Sequence, residues 1–339
     1  MENKIRKIVL TGGPCAGKTE VLGQLERYLV EKGYYVITLP ETARELIESK
    51  ILPAFDGENI LTFQDIILKM QCTKEDSAVR YANKVLNGKD VIILCDRGIM
   101  DNRAYLNAQE EFDYLLEKNG LNEQQIVHGY DLVIDLISTA TCKKDLYQLD
   151  SARKESVELA AELDKKTTLA WIDHPRLVTI KPTDKIEDKV GRVKEVVDDF
   201  LNGVEYNNTT RQRVDGSLVL DNFDSENSKV VDVYKSYVKG DLVVTHKKCR
   251  DHSIMVLGKF NQSFDDKVIS GDEFINLINE KPIVFTENSR ETMFTENGNV
   301  YKIIEADDKS YLSYDKSCSP SEVRDILSKI SKRFVKRND

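Results

Sequence analysis

The stretch that decides the fold of the N-terminal half is Gly12-Gly13-Pro14-Cys15-Ala16-Gly17-Lys18-Thr19. It satisfies the pattern Gly-x-x-x-x-Gly-Lys-Thr. A continuous apolar run from Ile5 to Thr11 precedes it and predicts a strand that is buried on both faces. Apolar residues at helical spacing follow it and predict a helix from Lys18 to about Lys32. A strand, a glycine-rich turn and a helix in this order are the local context of a P-loop.

This context predicts a phosphate-binding loop. Glycines allow successive backbone N–H groups to turn toward phosphate oxygens, and the start of the helix adds its positive dipole end. Lys18 is expected to reach the β- and γ-phosphates of ATP or GTP, and Thr19 to offer its hydroxyl to Mg²⁺. The alternative is a chance match on a glycine-rich turn. The sequence has no Asn-Lys-x-Asp string for guanine recognition, so it does not distinguish ATP from GTP.

Acidic residues follow two further predicted strands. Asp96 comes directly after the buried run Val91–Cys95 and is the candidate ligand of Mg²⁺, with the alternative that it caps the next helix. Its neighbour Arg97 could place a cation against a transferring phosphoryl group. Glu41 follows the second strand, and the carboxyl ends of parallel strands meet at the ligand crevice. Glu41 could therefore bind a substrate hydroxyl or accept its proton, or it could simply favour the dipole of the next helix.

A charged helical stretch that begins at Arg153 and Lys154 lies between two of the predicted strands. A mobile lid would occupy this place in the chain, and an arginine on it could reach the phosphates when the lid closes. A solvated helix face explains the same charges. Arg153 is therefore a catalytic candidate with a structural alternative.

The pattern of the chain changes near residue 202. Residues 1–202 alternate apolar strands with helices, which predicts an α/β, doubly wound P-loop NTPase domain with a parallel sheet. Residues 203–339 show period-two alternation, which predicts several strands, among them Ile283–Phe285 and Met293–Glu296 as separate strands. Two helices interrupt the alternation, and Ser270 and Ser319 are positioned to cap them. This second half predicts an α+β, antiparallel β-rich domain that could form a barrel.

Bulk composition excludes several classes of protein. The chain has 339 residues and a net charge of −9, which argues against a general nucleic-acid-binding protein. It contains no apolar run of the roughly 20 residues that cross a bilayer, and its charged start does not resemble a signal peptide. None of its six cysteines forms a Cys-x-x-Cys pair, which favours a reducing compartment without structural zinc. We therefore expect a cytoplasmic address.

Three strings beyond the P-loop carry a family resemblance: LPETARELI, CDRGIMDNRAYL and LAWIDHPRLVTI. With the P-loop they make most of residues 1–202 resemble the kinase-like domain of the TRPL translocation defect protein family, which is related to ribosylnicotinamide kinases and deoxynucleoside kinases. The resemblance implies that Glu41 is a base or sugar ligand, that Asp96 and Arg97 form an acid–arginine pair, and that Arg153 lies in a lid.

The same family joins this domain to a second one similar to the CYTH, or triphosphate-tunnel, barrel. This resemblance implies an anion-binding tunnel whose candidate cations are Arg211, Arg213, Lys248, Arg250, Lys259, Arg290 and Lys302. The alternative is outward-facing charge on a half-solvated sheet. The sequence departs from the tunnel enzymes after Glu205, where Tyr206 and two asparagines replace alternating glutamates.

These observations favour a Mg²⁺-dependent, kinase-like phosphotransferase or NTPase whose second domain binds a polyphosphate or a phosphoinositide. The main alternative is a regulatory GTP- and phospholipid-binding trafficking protein with peripheral membrane contact and no small-molecule acceptor. A triphosphatase that acts through the second domain is a further alternative, which the departure after Glu205 disfavours.

Overall fold

Apolar residues on both sides of the N-terminal strands require helices on both sides of the sheet that they form. The computed structural model describes residues 4–51, 57–86, 88–142, 156–204, 209–214, 227–250, 252–260, 262–306 and 309–335. The chain divides into two units, Met1–Val204 and Glu205–Asp339.

The first unit contains a parallel five-stranded sheet with the strand order β2-β3-β1-β4-β5. The strands are β1 (Ile5–Thr11), β2 (Tyr35–Leu39), β3 (Val91–Asp96), β4 (Leu132–Leu136) and β5 (Leu177–Ile180). The helices are α1 (Lys18–Glu31), α2 (Thr42–Glu48), α3 (Gly57–Val85), the 3₁₀ helix η1 (Ile99–Tyr105), α4 (Gln109–Lys118), α5 (Glu123–His128), α6 (Thr139–Cys142), α7 (Val157–Trp171) and α8 (Ile186–Leu201).

Two apolar cores lie on opposite faces of this sheet. Val9 of the central strand β1 belongs to a core with residues of α3, α4 and α7, including Trp171. Its neighbours Ile8 and Leu10 belong to the other core, with residues of α1 and α8. Successive strand side chains point to opposite faces, so a strand covered on both sides must be apolar throughout. The predicted α/β fold is confirmed, and the carboxyl end of β1 delivers the P-loop at the centre of one sheet edge.

The second unit contains an eight-stranded antiparallel sheet with the order β10-β9-β8-β7-β11-β12-β13-β6. The strands are β6 (Thr209–Val214), β7 (Ser228–Val238), β8 (Leu242–Cys249), β9 (His252–Lys259), β10 (Gln262–Ile269), β11 (Ile283–Glu296), β12 (Asn299–Ala306) and β13 (Lys309–Asp315). The predicted β-rich second domain is confirmed. Within the described ranges no pairing joins β10 to β6, so closure into a barrel stays a prediction.

Two helices, α9 (Gly271–Glu280) and α10 (Pro320–Val335), follow β10 and β13. Phe274 and Leu277 of α9 pack on a core around Val244, and α10 packs on a second core around Ile303. Ser270 caps α9 by accepting a hydrogen bond from the Glu273 backbone N–H at 3.2 Å. Ser319 accepts the corresponding bond at the start of α10, so both predicted caps are confirmed.

Two strand predictions in this half were wrong. Ile283–Phe285 and Met293–Glu296 were expected as separate strands, but they are the ends of the single strand β11. The polar residues between them showed no strand pattern, yet they pair with β7 over their whole length. Strand β10 was not predicted, because its start, Gln262 to Lys267, is polar and acidic.

None of the helices in the described part of the chain combines the length and the apolar character needed to cross a membrane.

Candidate functional site

The P-loop has the backbone that its glycines predict. Gly12 and Gly17 have φ angles of 137° and 82°, and Cys15 between them has a φ of 60°. A Cβ added to Gly12 would lie 2.2 Å from the backbone oxygen of Leu136. This contact brings the loop against the end of β4, and only glycine fits there. Helix α1 begins at Lys18, within the P-loop, so its free N–H groups and positive dipole end lie at the loop.

Among the residues that the structure describes, three hydrogen bonds join the backbone of the loop to its surroundings. The N–H of Gly13 donates to Asp164 Oδ1 at 2.9 Å. Ser138 Oγ donates to the Pro14 carbonyl, and Lys189 Nζ donates to the Ala16 carbonyl at 2.9 Å. The partners come from α7, from the end of β4 and from α8. The loop is therefore fixed in shape by the fold around it.

Lys18 lies within the loop itself. Its Nζ donates to the carbonyls of Gly12 and Gly13 at 2.8 and 2.9 Å. Burial, together with the positive charge of Arg97, lowers the pKa of Lys18 to about 8. A phosphate chain would replace the two carbonyls as the partner of this ammonium group and favour its charged form. Thr19 follows on the first turn of α1, where it is exposed.

Asp96 is the last residue of β3, and it pairs in register with Leu10 near the end of β1. It is 9% exposed, and its Oδ1 has no hydrogen-bond partner among the described residues. Burial raises the pKa of Asp96, and the negative charge of Glu41 raises it further. A buried carboxylate oxygen without a donor suits a divalent cation, which supplies the missing positive charge. Asp96 and the Thr19 hydroxyl therefore fit the expected Mg²⁺ ligands.

The side chain of Arg97, which follows β3, pairs with two carboxylates, Glu41 after β2 and Asp101 on η1. Its φ angle is 69°, in the left-handed region that a non-glycine residue rarely adopts. Its Nε donates to Glu41 Oε1 at 2.8 Å and its Nη1 donates to Asp101 Oδ1 at 3.2 Å. Burial raises the pKa of Glu41, but the positive charges of Arg97 and Lys18 outweigh it and leave that pKa below its usual value. Glu41 is thus ionised at neutral pH, and its carboxylate pairs with Arg97 instead of capping α2.

Asp101 on η1 was missed by the sequence analysis. It accepts hydrogen bonds from the hydroxyl of Thr11, from the Gly98 N–H at 2.8 Å and from Trp171 Nε1 at 3.2 Å. It therefore ties Arg97 to the residue before the P-loop and to the end of α7. The available signal was an Asp five residues after Asp96, but an aspartate in a first helical turn is usually a cap.

A second pair of carboxylates lies beside the loop and was also missed. Asp135 on β4 and Asp164 on α7 are 0% and 1% exposed. Burial raises the pKa of Asp135 to about 8, and the negative charge of Asp164 is the next cause. Asp135 accepts a hydrogen bond from Thr168 Oγ1 at 2.6 Å. At neutral pH Asp135 is therefore the protonated member of the pair. No sequence motif marks these residues.

A small cleft, partly open to solvent, adjoins Asp96 and Arg97. It is bounded by the ends of β2 and β3 and by one face of α3, and its lining residues are Leu39, Pro40, Thr42, Gln71, Lys74, Glu75, Cys95, Asp96 and Arg97. Lys74 Nζ contacts Glu45 at 2.5 Å and Thr42 Oγ1 at 3.0 Å at its edge. The cleft lies where a small polar molecule would meet Asp96 and Arg97. Arg153 and Lys154, the lid candidates, lie outside the described residues.

The strand register of the second unit separates the seven cations that were expected to line one tunnel. Residues paired directly across antiparallel strands share a face of the sheet. Arg211 pairs with Ser313, which pairs with Lys302, so Arg211 and Lys302 share a face, and Arg213 lies two residues further on the same strand. These three residues lie on what we call the Arg211 face.

The other expected cations lie elsewhere in this sheet. Arg290 and Lys248 both pair with Asp232, and Arg290 is three residues from Met293, the partner of Lys302. Arg290 and Lys248 therefore lie on the opposite face, and the register places Lys259 there as well. Arg250 follows the end of β8, in the turn before β9. The seven cations do not meet in one place, because their faces are set by strand pairing.

The Arg211 face carries further lysines around the half-buried carboxylate of Glu291. Lys302 Nζ contacts Glu291 Oε2 at 2.7 Å. Burial raises the pKa of Glu291, but the charges of Lys302, Lys247 and Lys235 outweigh it and hold that pKa below its usual value. The register places Lys235 and Lys247 on the same face. This face therefore has a surplus of positive charge.

Comparison with known proteins bears on the first unit. An AAA domain family matches residues 7–189, which is more than half of the chain. No curated protein matches the chain. The match begins within β1, includes the P-loop and the other four strands of the parallel sheet, and supports a P-loop domain of the kind that binds a nucleotide with Mg²⁺. The match ends before the second unit, so the narrower TRPL and CYTH-like resemblances stay expectations. Because the match covers more than half of the chain, the chain belongs to the AAA domain family.

Proposed function

We propose that this protein is a Mg²⁺-dependent phosphotransferase or NTPase of kinase-like type that binds ATP or GTP in its P-loop. The observation that carries the proposal is the grouping of Lys18, Asp96 and the Arg97–Glu41 pair at the carboxyl ends of the neighbouring strands β1, β3 and β2. A switch that only binds nucleotide needs a phosphate site and a metal ligand. A carboxylate held ionised beside that site is the extra feature that a phosphoryl transfer to a hydroxyl would use.

Each residue has a defined task in this proposal. The amides of the P-loop and Lys18 bind the β- and γ-phosphates, and Thr19 and Asp96 hold Mg²⁺, which neutralises charge on the phosphates when it is bound. Arg97 is placed to stabilise negative charge on the transferred group. Glu41 accepts a hydrogen bond from the attacking hydroxyl and takes its proton as the oxygen–phosphorus bond forms and the nucleoside diphosphate leaves. Water as the attacking group gives the NTPase form of the same reaction.

The lining of the cleft beside Asp96 bears on the choice of acceptor. The cleft opens to solvent, and its enclosed space is about that of one water molecule, so one polar group of an acceptor fits in it. Four charged residues, Lys74, Glu75, Asp96 and Arg97, lie along its wall with polar side chains. These residues favour an acceptor group such as a hydroxyl, which can bind both cations and carboxylates.

Nucleotide binding is tested by calorimetry and thermal shift with ATP, GTP and tripolyphosphate, with and without Mg²⁺. A ligand that binds only the folded protein raises stability by RT ln(1 + [L]/Kd). Wild-type protein should be stabilised by a Mg²⁺–nucleotide, and Lys18→Ala should lose this effect. If neither nucleotide stabilises the wild type, the proposed function is wrong.

The role of Glu41 is tested separately by turnover. Glu41→Gln keeps the shape of the side chain and should retain nucleotide affinity, but it should lose most of the activity with a hydroxyl acceptor. Glu45→Gln on the same helix, whose carboxylate contacts Lys74, is the matched control and should keep that activity. Equal activity of Glu41→Gln and wild type would remove Glu41 as the base.

We also propose that the second unit binds a polyphosphate or a phosphoinositide on the Arg211 face. Lys235, Lys247 and Lys302 lie there with Arg211 and Arg213, and the register places the carboxylates of Glu287 and Glu291 on the same face. Several cations on one face attract a polyanion more strongly than the same charges spread over two faces. A regulatory protein that binds a nucleotide in one unit and a phospholipid headgroup in the other is the alternative that this observation favours.

The two faces of the sheet supply a matched pair of variants. Arg211→Ala with Arg213→Ala should weaken binding of tripolyphosphate or a soluble inositol phosphate. Lys248→Ala with Arg290→Ala removes the same charge from the other face and should leave that binding unchanged. Equal loss in both double variants would show that net charge, and not a site, attracts the anion.

A further inference from the structure

Asp164 is the residue of α7 through which the P-loop is joined to the end of β4. It is 1% exposed and accepts three hydrogen bonds. The donors are the N–H of Gly13 at 2.9 Å, the N–H of Ser138 at 3.0 Å and the hydroxyl of Thr141 at 2.6 Å. They belong to the P-loop, to the residues after β4 and to α6. One carboxylate therefore joins three segments that are distant in sequence.

The contact with the loop is close as well as polar. A Cβ added to Gly13 would lie 2.6 Å from the Cβ of Asp164 and 2.8 Å from its Cα. The loop backbone thus lies directly against α7, with no space for a side chain between them. The same aspartate meets Ser138, whose hydroxyl donates to the Pro14 carbonyl. Asp164 and Ser138 therefore hold the first turn of the loop at two points, the Gly13 N–H and the Pro14 carbonyl.

The charge of Asp164 explains why these donors gather there. Backbone N–H groups and a hydroxyl bind an ionised carboxylate more strongly than a neutral one. Burial raises the pKa of Asp164, while its three donors oppose this change. Its neighbour Asp135 carries the proton of the pair, which leaves the negative charge on Asp164.

We propose that Asp164 is a positioning residue for nucleotide binding, which sets the shape of the P-loop by holding Gly13 and Ser138 together. This inference rests on the proposed function, because the loop must bind a phosphate chain for its shape to matter. Phosphate binding by a loop depends on amides that already point in the right direction, so that binding does not have to order them. Asp164 acts on the nucleotide through the loop backbone.

Three variants separate this role from a general effect on stability. Asp164→Ala removes all three acceptors. Asp164→Asn keeps an oxygen that can accept from Gly13 and Ser138 and an amide group that can donate to Thr141. Thr168→Val is the matched control, because it removes the buried hydrogen bonds of this hydroxyl to the Asp135 carboxylate and to the Asp164 main-chain carbonyl, and it leaves the Asp164 carboxylate and its three donors in place.

Two measurements are made on each full-length variant at a temperature where all of them are folded. One is hydrogen exchange of the P-loop amides without nucleotide, and the other is the Kd of the Mg²⁺–nucleotide. Asp164→Ala should exchange faster in the loop and bind about tenfold more weakly, which corresponds to about 1.4 kcal/mol. Asp164→Asn should lie closer to wild type in both measurements, and Thr168→Val should match wild type.

The inference would be overturned if Asp164→Ala had the same loop exchange rate and the same nucleotide Kd as the wild type. It would also be overturned if Thr168→Val changed both quantities as much as Asp164→Ala does. If the wild type binds no nucleotide, the proposed function fails. The exchange measurement would then still decide whether Asp164 holds the loop, because it needs no ligand.

Discussion

Replacing Gly13 by alanine tests how closely the P-loop packs on helix α7. The φ angle of Gly13 lies outside the left-handed region, so an alanine there meets no backbone penalty. Its methyl group would instead lie 2.6 Å from the Asp164 Cβ, 2.6 Å from its Oδ1 and 2.8 Å from its Cα. Two of these atoms cannot rotate away. The loop or the helix must therefore shift, and the hydrogen bond between Gly13 and Asp164 must lengthen.

The size of the effect follows from the cost of overpacking, about 1–3 kcal/mol for an added methylene in a close-packed region. Gly23→Ala is the matched control, because a Cβ added to Gly23 meets no heavy atom of the described structure within 4 Å. Gly23 lies inside α1, where alanine is more stable than glycine by roughly 0.5–1 kcal/mol. The same chemical change should therefore lower stability at position 13 and raise it at position 23.

The assay is thermal unfolding followed by the fluorescence of Trp171, the single tryptophan of the chain, which is fully buried in the first unit. A unit of this size should lose roughly 2–4 °C of Tm for each kcal/mol. Gly13→Ala should also weaken nucleotide binding, whereas Gly23→Ala should not. If Gly13→Ala unfolds and binds as the wild type does, the loop does not pack on α7, and the argument for Asp164 is refuted with it.

Three further predictions concern titratable groups and a helix cap. Mg²⁺-dependent nucleotide binding should weaken on the acid side as Asp96 takes up a proton, at a higher pH than for an ordinary aspartate, because burial raises its pKa. Nucleotide binding should also weaken above pH about 8 as Lys18 loses its charge. Calorimetry across pH measures the loss of affinity on both sides, and Asp96→Asn should not show the loss on the acid side. Burial raises the pKa of Asp135 to about 8. Between pH about 4 and about 8 the folded state therefore binds more protons than the unfolded state, and the free energy of unfolding should fall as pH rises through this range. Asp135→Asn should remove that slope in denaturant melts, and an unchanged slope would exclude Asp135 as its source. Ser270→Ala should lower the stability of the second unit by about 1 kcal/mol in circular dichroism melts, because it removes the cap of α9, and nucleotide affinity should not change.

The first half of the chain was predictable because its signals are local. The apolar run of β1, the glycines after it and the amphipathic helix α1 are contiguous, and each fixes its own conformation. The second half was less predictable in detail. Strand β11 has a polar middle that becomes a strand only because β7 and β12 pair with it. Strand propensity depends on such neighbours, and a single sequence does not show them.

The candidate site divides in the same way. Lys18, Asp96 and Glu41 could be named from the sequence because each directly follows a strand end or a recognisable loop. Asp101 and Asp164 could not be named from the sequence, because their hydrogen-bond donors are distant in the chain. Asp101 accepts from Thr11 and Trp171, and Asp164 accepts from Gly13, which is 151 positions away.

The sequence by itself determined that residues 12–19 form a P-loop between a buried strand and a helix, because the backbone angles and apolar periods that produce this unit are properties of neighbouring residues. Tertiary structure alone decided which carboxylates hold that loop and which face of the second sheet each cation occupies. Hydrogen bonds and strand register join residues from distant parts of the chain, and a shift of one position in a strand moves a side chain to the other face.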